Sequence, residues 1–435
     1  MSEALVAVGL PGWTDPADVF AALFADAPHV FWLDAGPHAA AGHSWMGTGV
    51  PDDPERVRAT AAAPRVGARF GSGWVGWAGY DDAAAGAGAA APFGDTEAPS
   101  QLWLRADQVV AFDHAARRVT VHAAPEPAAA LAAAIAGVTA SVRPSLAPQT
   151  ADLGNARARH TPHEYAALIE SCRASIRDGD AYQLCLTTRF GVEASVDAVA
   201  VYARLRGATP AHHGGFIRSG EVALLSASPE QFLEVTGEPD GPVVRTRPIK
   251  GTRPRGADAA ADAALAAELR ANEKERAENV MIVDLMRNDL SRVCAAGTVG
   301  VDALLEVETY PAVHQLVSTV SGRLLPRTTV GELLDATFPA GSMTGAPKLS
   351  AMTILHRLER APRGVFAGCF GWVGDDGALD LAMVIRSIVV HPSGAYVGAG
   401  GGITWRSDAA AEVAEVGLKA RGPLAALGAT LPPGW

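Results

Sequence analysis

The chain has 435 residues, 49% of them hydrophobic and 19% charged, so a globular core is easy to build and wholesale disorder is excluded. Its 36 basic and 47 acidic residues leave a net charge of −11. That argues against a general nucleic-acid or anionic-membrane partner, yet leaves open an anionic small molecule held by a local cation cluster or a metal. Cys172, Cys185, Cys294 and Cys369 are scattered and form no C-x-x-C. Reduced thiols in a soluble cytoplasmic protein are expected, not a disulfide scaffold or a cysteine zinc site. The opening run has no basic segment and breaks at Pro11, so no signal peptide is expected. The charge-free stretch from Ser387 to Trp405 contains Pro392 and a glycine cluster, which rules it out as a membrane helix.

Residues 1–150 mix short β-like runs with Gly/Ala/Pro-rich loops. Val30–Leu33, Val109–Phe112 and Val119–His122 read as strands, Ala83–Phe93 as a loop, and Ser141–Arg159 as a linker. Thr161-Pro-His-Glu164 is a capping box with proline at the first helical position. Tyr165, Leu168, Ile169, Cys172 and Ile176 then recur at helical spacing up to Gly179. Tyr182, Leu184 and Leu186 alternate with Gln183, Cys185 and Thr187, which predicts a strand with one core face and one face free for chemistry. Further strands are predicted at Val222–Leu225, Val243–Thr246, Gly371–Val373, Ala382–Val390 and Tyr396–Ala399. Long helices are predicted over Ala260–Val293, Pro347–Arg360 and Ala409–Ala420. Such a mixture predicts an α+β fold.

Glu275 and Glu278 lie three apart on one predicted helix, and Glu412 and Glu415 repeat that spacing on another, with Lys419 one turn on. Each pair is unfavourable alone, because like charges are neighbours. Turned toward each other, the two faces would form an oxygen cage suited to Mg²⁺; the same spacing also fits two solvated helix faces. Arg245-Thr-Arg-Pro-Ile-Lys-Gly-Thr-Arg-Pro-Arg255 packs five cations into one strand and turn. It reads either as a pocket for a small carboxylate or as a charged edge strand. Gly398-Ala-Gly-Gly-Gly-Ile-Thr404 reads as a loop whose N–H groups can approach a carboxylate. Gly341-Ser-Met-Thr-Gly-Ala-Pro-Lys348 offers hydroxyls just before a helix and does not have phosphate-loop spacing.

Taken together, Asp180–Thr187, Ser228-Pro-Glu230, Pro248-Ile-Lys-Gly-Thr252, Val283–Leu290, Phe338–Lys348 and Gly400–Ile403 resemble the chorismate-utilising enzymes. The resemblance runs from about Thr161 to Gly422, the catalytic region 161–422, with a weaker match over residues 1–150. It implies a large two-sheet antiparallel α/β sandwich to which both parts contribute. It also implies roles. Glu275, Glu278, Glu412 and Glu415 match the Mg²⁺ carboxylates, and Glu230 matches the acid that helps the C4 hydroxyl of chorismate depart. Arg386, Lys419, Gly400, Gly401 and Gly402 match groups that hold the substrate carboxylates. Thr252, His314, Ser342 and Thr344 match polar residues that line the pocket.

Two positions choose among the members. Water-using members carry a general-base lysine where this chain has Gln183, so ammonia is the expected nucleophile. Lys250 matches the lysine of members that make 4-amino-4-deoxychorismate, where the amine attacks C2. Members that make anthranilate have alanine there. Lys250 as a mere carboxylate-binding cation stays open, as does a noncatalytic chorismate-binding or amidotransferase-activating subunit. A lysine nucleophile must be neutral, and Arg247, Arg253 and the metal are expected to supply the field that favours this. No G-x-C-x-G glutaminase motif is present, so a separate glutamine amidotransferase subunit is expected as the ammonia source. Phe31-Trp-Leu-Asp-Ala35 lacks the feedback serine of anthranilate-forming members. Phe366 replaces the family tyrosine, Cys185 replaces an asparagine, and Asp408-Ala-Ala-Ala-Glu412 is a plainer helix start.

Overall fold

The computed structural model describes residues 5–90, 94, 97–138 and 152–435. The long strand Gln101–Asp113 organises it. One edge bonds along its length to His43–Asp52. On the other edge its first half bonds to Gly73–Ala78 and its second half to Arg118–Ala123. Two sheets therefore diverge from one strand.

The first sheet continues from His43–Asp52 through His29–Asp34, His213–Ser219, Val222–Ser228, Ser387–His391 and Gly394–Ile403 to Gln183–Val192. The second runs from Gly73–Ala78 through Cys369–Gly374, Leu379–Met383, Gln231–Glu238 and Gly241–Thr246 to Val313–Arg323. Val313–Arg323 also bonds Ile249–Pro254 and Gly300–Thr309. All these pairings are antiparallel, and they interleave strands from the two ends of the chain. The fold is an α+β, two-sheet antiparallel sandwich.

One core contains side chains of both sheets, among them Phe31, Ile217 and Leu224 with Val75, Val235 and Leu381. Apolar area shared between two sheet faces is the main favourable contribution to holding them together. Helix Glu273–Ser291 inserts Ile282, Val283, Met286 and Leu290 into this core. The outer face of the first sheet packs a second core against Pro162–Arg177, Ala198–Ala208 and Ala409–Leu427. The capping box forms as predicted, with the Thr161 hydroxyl accepting from the Glu164 N–H and the Glu164 carboxylate from the Thr161 N–H.

Several predicted elements change. The helix predicted from Ala260 to Val293 is two helices, Ala259–Ala271 and Glu273–Ser291. Asn272 stands between them with ψ 111°, and its side chain accepts from the Glu275 N–H at 3.1 Å. A short amide that bonds the backbone favours such a cap over helix continuation. The strand predicted over Ala382–Val390 is broken at Arg386, whose φ is +52°. The glycine run is no loop, for Gly400–Gly402 lie inside strand Gly394–Ile403. Ala83–Gly86 belongs to helix Tyr80–Gly86, while residues 91–93 of that predicted loop and 141–151 of the predicted linker lie outside the described residues. Gln183, Cys185 and Thr187 are as buried as Leu184 and Leu186, because that strand is covered on both faces, and exposed Tyr182 precedes it.

Candidate active site

Lys250 sits on a β-bulge. The pairing steps from Ile249 opposite Val317 to Thr252 opposite Gln315, so three positions on one strand cover two on the other. Gly251 follows at φ +85°, and a Cβ there would meet Leu269 Cδ1 at 2.8 Å and Glu275 Cδ at 3.0 Å. Bulges re-aim side chains. This one places the Lys250 ammonium in the electrostatic field of Glu230, Glu278 and Glu415.

The other four cations of that stretch are already paired. Arg245 pairs with Glu238, Arg247 with Glu308, Arg253 with Glu268 and Arg255 with Asp262. Among the described residues Lys250 alone of the five makes no ion pair. The carboxylate partners of Arg247 and Arg253 also neutralise much of the field those two residues were expected to exert on Lys250.

Glu230 is buried. Burial raises its carboxyl above the ordinary range, while Lys250, a hydrogen bond from Ser342 and Lys419 oppose that shift. Burial thus favours the protonated acid, whereas the cations favour the carboxylate.

The carboxylates come from two helices. Burial, helped by Glu275 and Glu412, pushes Glu278 up against the opposing pull of Lys250 and Lys274. Its Oε1 is buried without a hydrogen-bond partner. Glu412 is 3% exposed and accepts from Ser407 Oγ at 2.7 Å. Lys274 Nζ stands between the helices, 3.4 Å from Glu412 and 3.9 Å from Glu278. Glu275 turns toward Arg253, 3.6 Å away, and Glu415 pairs with Lys419 at 2.7 Å. Among the described residues no three such side chains converge at metal-binding distance. The donor set still fits a hard divalent cation. Its ligands are carboxylate oxygens, one is a buried orphan, and a lysine ammonium already bridges two of them.

The glycine strand forms one wall. A Cβ on Gly401 would lie 3.4 Å from Glu412 Oε2, and a Cβ on Gly402 only 2.1 Å from Gln183 Nε2. Gln183 Oε1 is buried without a partner. Lys419 donates to the Gly400 carbonyl at 2.9 Å. Desolvation lowers the half-buried Arg386 guanidinium and nearby Glu415 raises it.

Glu230, Lys250, Ser342, Lys419, Glu278 and Glu415 thus form one electrostatic cluster, with Arg386 linked to it through Glu415. Three expected residues face elsewhere. His314 is 2% exposed, with its ring nitrogens against Asp262 at 2.9 Å and Thr309 at 2.9 Å, so it fastens helix Ala259–Ala271 to the sheet. Thr252, beyond the bulge, is exposed. The Thr344 hydroxyl is spent on the carbonyls of Ala340 and Gly341. Motif reading missed Lys274, whose only sequence signal is its i,i+4 spacing to Glu278. It also missed Lys348, which donates to Asp289 at 2.6 Å and to the Thr337 carbonyl, tying down the end of the 338–348 segment. A cavity of about 400 Å³, bounded by Trp45, His212, Glu234, Trp372 and Asp380, shares no residue with the cluster.

Residues 21–425 match the family model described as chorismate binding enzyme. The chain belongs to that family. Aminodeoxychorismate synthase of Streptomyces pristinaespiralis is 39% identical over 95% of this chain, and this chain spans 64% of that protein's length. Aminodeoxychorismate synthase component 1 of Klebsiella aerogenes is 39% identical over 74% of this chain and 69% of its own. Among solved structures, anthranilate synthase component I from Streptococcus pneumoniae TIGR4 superposes with a TM-score of 0.72 at 28% identity, covering 97% of this chain and 92% of that one. No helix among the described residues of this chorismate binding enzyme is long and apolar enough to cross a membrane.

Proposed function

We propose that the chain is aminodeoxychorismate synthase component I, converting chorismate and ammonia to 4-amino-4-deoxychorismate and water. The observation that carries this reading is Lys250, which its bulge places in the field of buried Glu230 and which forms no ion pair among the described residues. The neutral Lys250 amine attacks C2. Both conjugated ring double bonds shift and the C4–O bond breaks, with Glu230 donating its proton so that the hydroxyl leaves as water. Ammonia then attacks C4, both double bonds shift back, and the C2–N bond to Lys250 breaks. One proton from the ammonium formed at C4 returns to Glu230, so chorismate plus ammonia balances aminodeoxychorismate plus water.

Glu278 and Glu412, with Glu275 and Glu415 beside them, would hold Mg²⁺. Bound there, the ion supplies charge neutralisation for a substrate carboxylate. Lys419, Arg386 and the N–H groups of the glycine strand would orient the other end of the dianion. Gln183 cannot act as a base toward water, which supports ammonia as the nucleophile. The ammonia source would be a separate glutamine amidotransferase, and the compartment the cytoplasm. The printed name "component 1" of the Klebsiella relative supports a partner subunit.

Anthranilate synthase component I is the second reading, favoured by the structural match to the Streptococcus protein. One assay separates them: chorismate, Mg²⁺ and an ammonium salt at mildly alkaline pH, with products identified by mass and fluorescence. Aminodeoxychorismate without pyruvate is expected. Fluorescent anthranilate with pyruvate would establish the second reading, and no turnover would leave a noncatalytic chorismate-binding subunit.

A further inference from the structure

Behind the pocket wall lies a buried polar hub that the proposed chemistry does not use. Arg363 is among the largest fully buried side chains of the protein. Its Nε donates to Glu359 Oε2 at 2.8 Å and its Nη2 to Glu359 Oε1 at 2.7 Å, a two-point pair. The remaining donors reach backbone carbonyls of two other segments, Met343 at 2.7 Å and Cys185 at 2.8 Å. Glu359 Oε1 also accepts from the N–H and the hydroxyl of Thr187, at 2.9 and 3.0 Å. The guanidinium lies 4.1 Å from the ring centroid of Tyr80, and the N–H groups of Arg363 and Gly364 both reach Asp81.

The two carbonyls are informative. Met343 stands next to buried Ser342, whose hydroxyl favours the Glu230 carboxylate. Cys185 is two residues from Gln183, on the same side of its strand. One planar, five-donor cation thus ties the turn behind Glu230 to the strand carrying Gln183, and only arginine has that geometry.

We propose that Arg363 and Glu359 are positioning residues for this site, holding the Ser342 turn and the Gln183 strand at the separation that turnover of chorismate requires. This rests on the reading that chorismate is turned over here. Neither residue touches the substrate; both act through Ser342 and Gln183. An isolated core pair would satisfy only itself, whereas this pair spends four further hydrogen bonds on the two pocket-forming segments. Loss of that registration misplaces groups that must align in the transition state, and a shift of about 1 Å can cost on the order of 10²-fold in rate.

The test compares Arg363→Lys and Glu359→Gln with Leu205→Ala, a buried change in the other core. Chorismate consumption is followed whatever the product. Arg363→Lys is expected to lower kcat about 100-fold and Glu359→Gln about 10-fold, with the KM for chorismate nearly unchanged. The alkaline limb of the pH profile should also move upward in both, because Ser342 then bonds Glu230 less well while Lys250 and Lys419 still face it. Leu205→Ala should lose thermal stability yet keep kcat and the pH profile. Wild-type kcat and pH profile in folded Arg363→Lys would overturn the proposal. So would an equal kcat loss in Leu205→Ala at matched stability. Where Arg363→Lys does not fold, Glu359→Gln decides by the same readings. A wild type that consumes chorismate to another product overturns only the functional reading; one that neither consumes nor binds it overturns both.

Discussion

A methyl group on Gly402 would stand 2.1 Å from the amide nitrogen of Gln183. The Gln183 side chain therefore needs a glycine on the neighbouring strand. The obstacle is the far end of a flexible chain, so Gly402→Ala is expected to fold, with Gln183 displaced into the pocket. Turnover should fall on the order of 10²-fold, with little change in thermal midpoint, checked by steady-state kinetics beside a melting curve.

Lys250→Ala removes the reactive amine without breaking an ion pair. Activity is expected to fall by about 10² to 10⁴ while stability stays within about 0.5 kcal/mol, as for substitutions that touch no packed or paired group. Intact-protein mass after incubation with chorismate should show an adduct in wild type and none in the variant. Near-full activity in Lys250→Ala would reduce the residue to a binding cation.

Metal binding is readable without turnover. Mg²⁺ at 100 times its dissociation constant should stabilise the wild type by about 2.7 kcal/mol, seen as a higher melting temperature. Glu278→Ala and Glu412→Ala should lose that response, and Glu412→Ala should also release Lys274 and Ser407. Persistent stabilisation in both variants would place the ion elsewhere. Excess chelator should stop turnover of the wild type.

Glu230 sets the sign of a pH effect. Its folded-state pKa is raised by burial, so the folded protein binds the proton more tightly than the unfolded chain. Its contribution to stability is full below the unfolded value of about 4.3 and is lost as pH rises through the folded value. Turnover, which needs the acid, should decline through that same folded value. Glu230→Gln should therefore melt higher than wild type at pH 8 and yet be nearly inactive, with the alkaline limb gone. Equal melting temperatures at pH 8 would show that Glu230 is not held as a costly buried anion.

What the sequence by itself determined is local or carried by motif. Spacing of three residues puts Glu275 with Glu278 and Glu412 with Glu415 on helix faces, because helical geometry is short-range. The Thr161 capping box and the strand after Gln183 follow from neighbours along the chain in the same way. The motif order identified the family, and the two-sheet fold followed with it.

Only the tertiary structure decided which cations are free. Arg245, Arg247, Arg253 and Arg255 look like equals of Lys250 in the sequence, but partners at Glu238, Glu308, Glu268 and Asp262 remove them. Most of those partners come from other elements, and pairing at a distance has no local signature. The same holds for His314, a pocket residue by motif whose ring is taken up by Asp262, 52 positions away. It holds again for Arg363, whose hydrogen bonds span up to 282 positions. Hydrophobic periodicity reports only which face is buried. What meets that face, and whether a buried charge finds a partner there, is settled when the two sheets close over it.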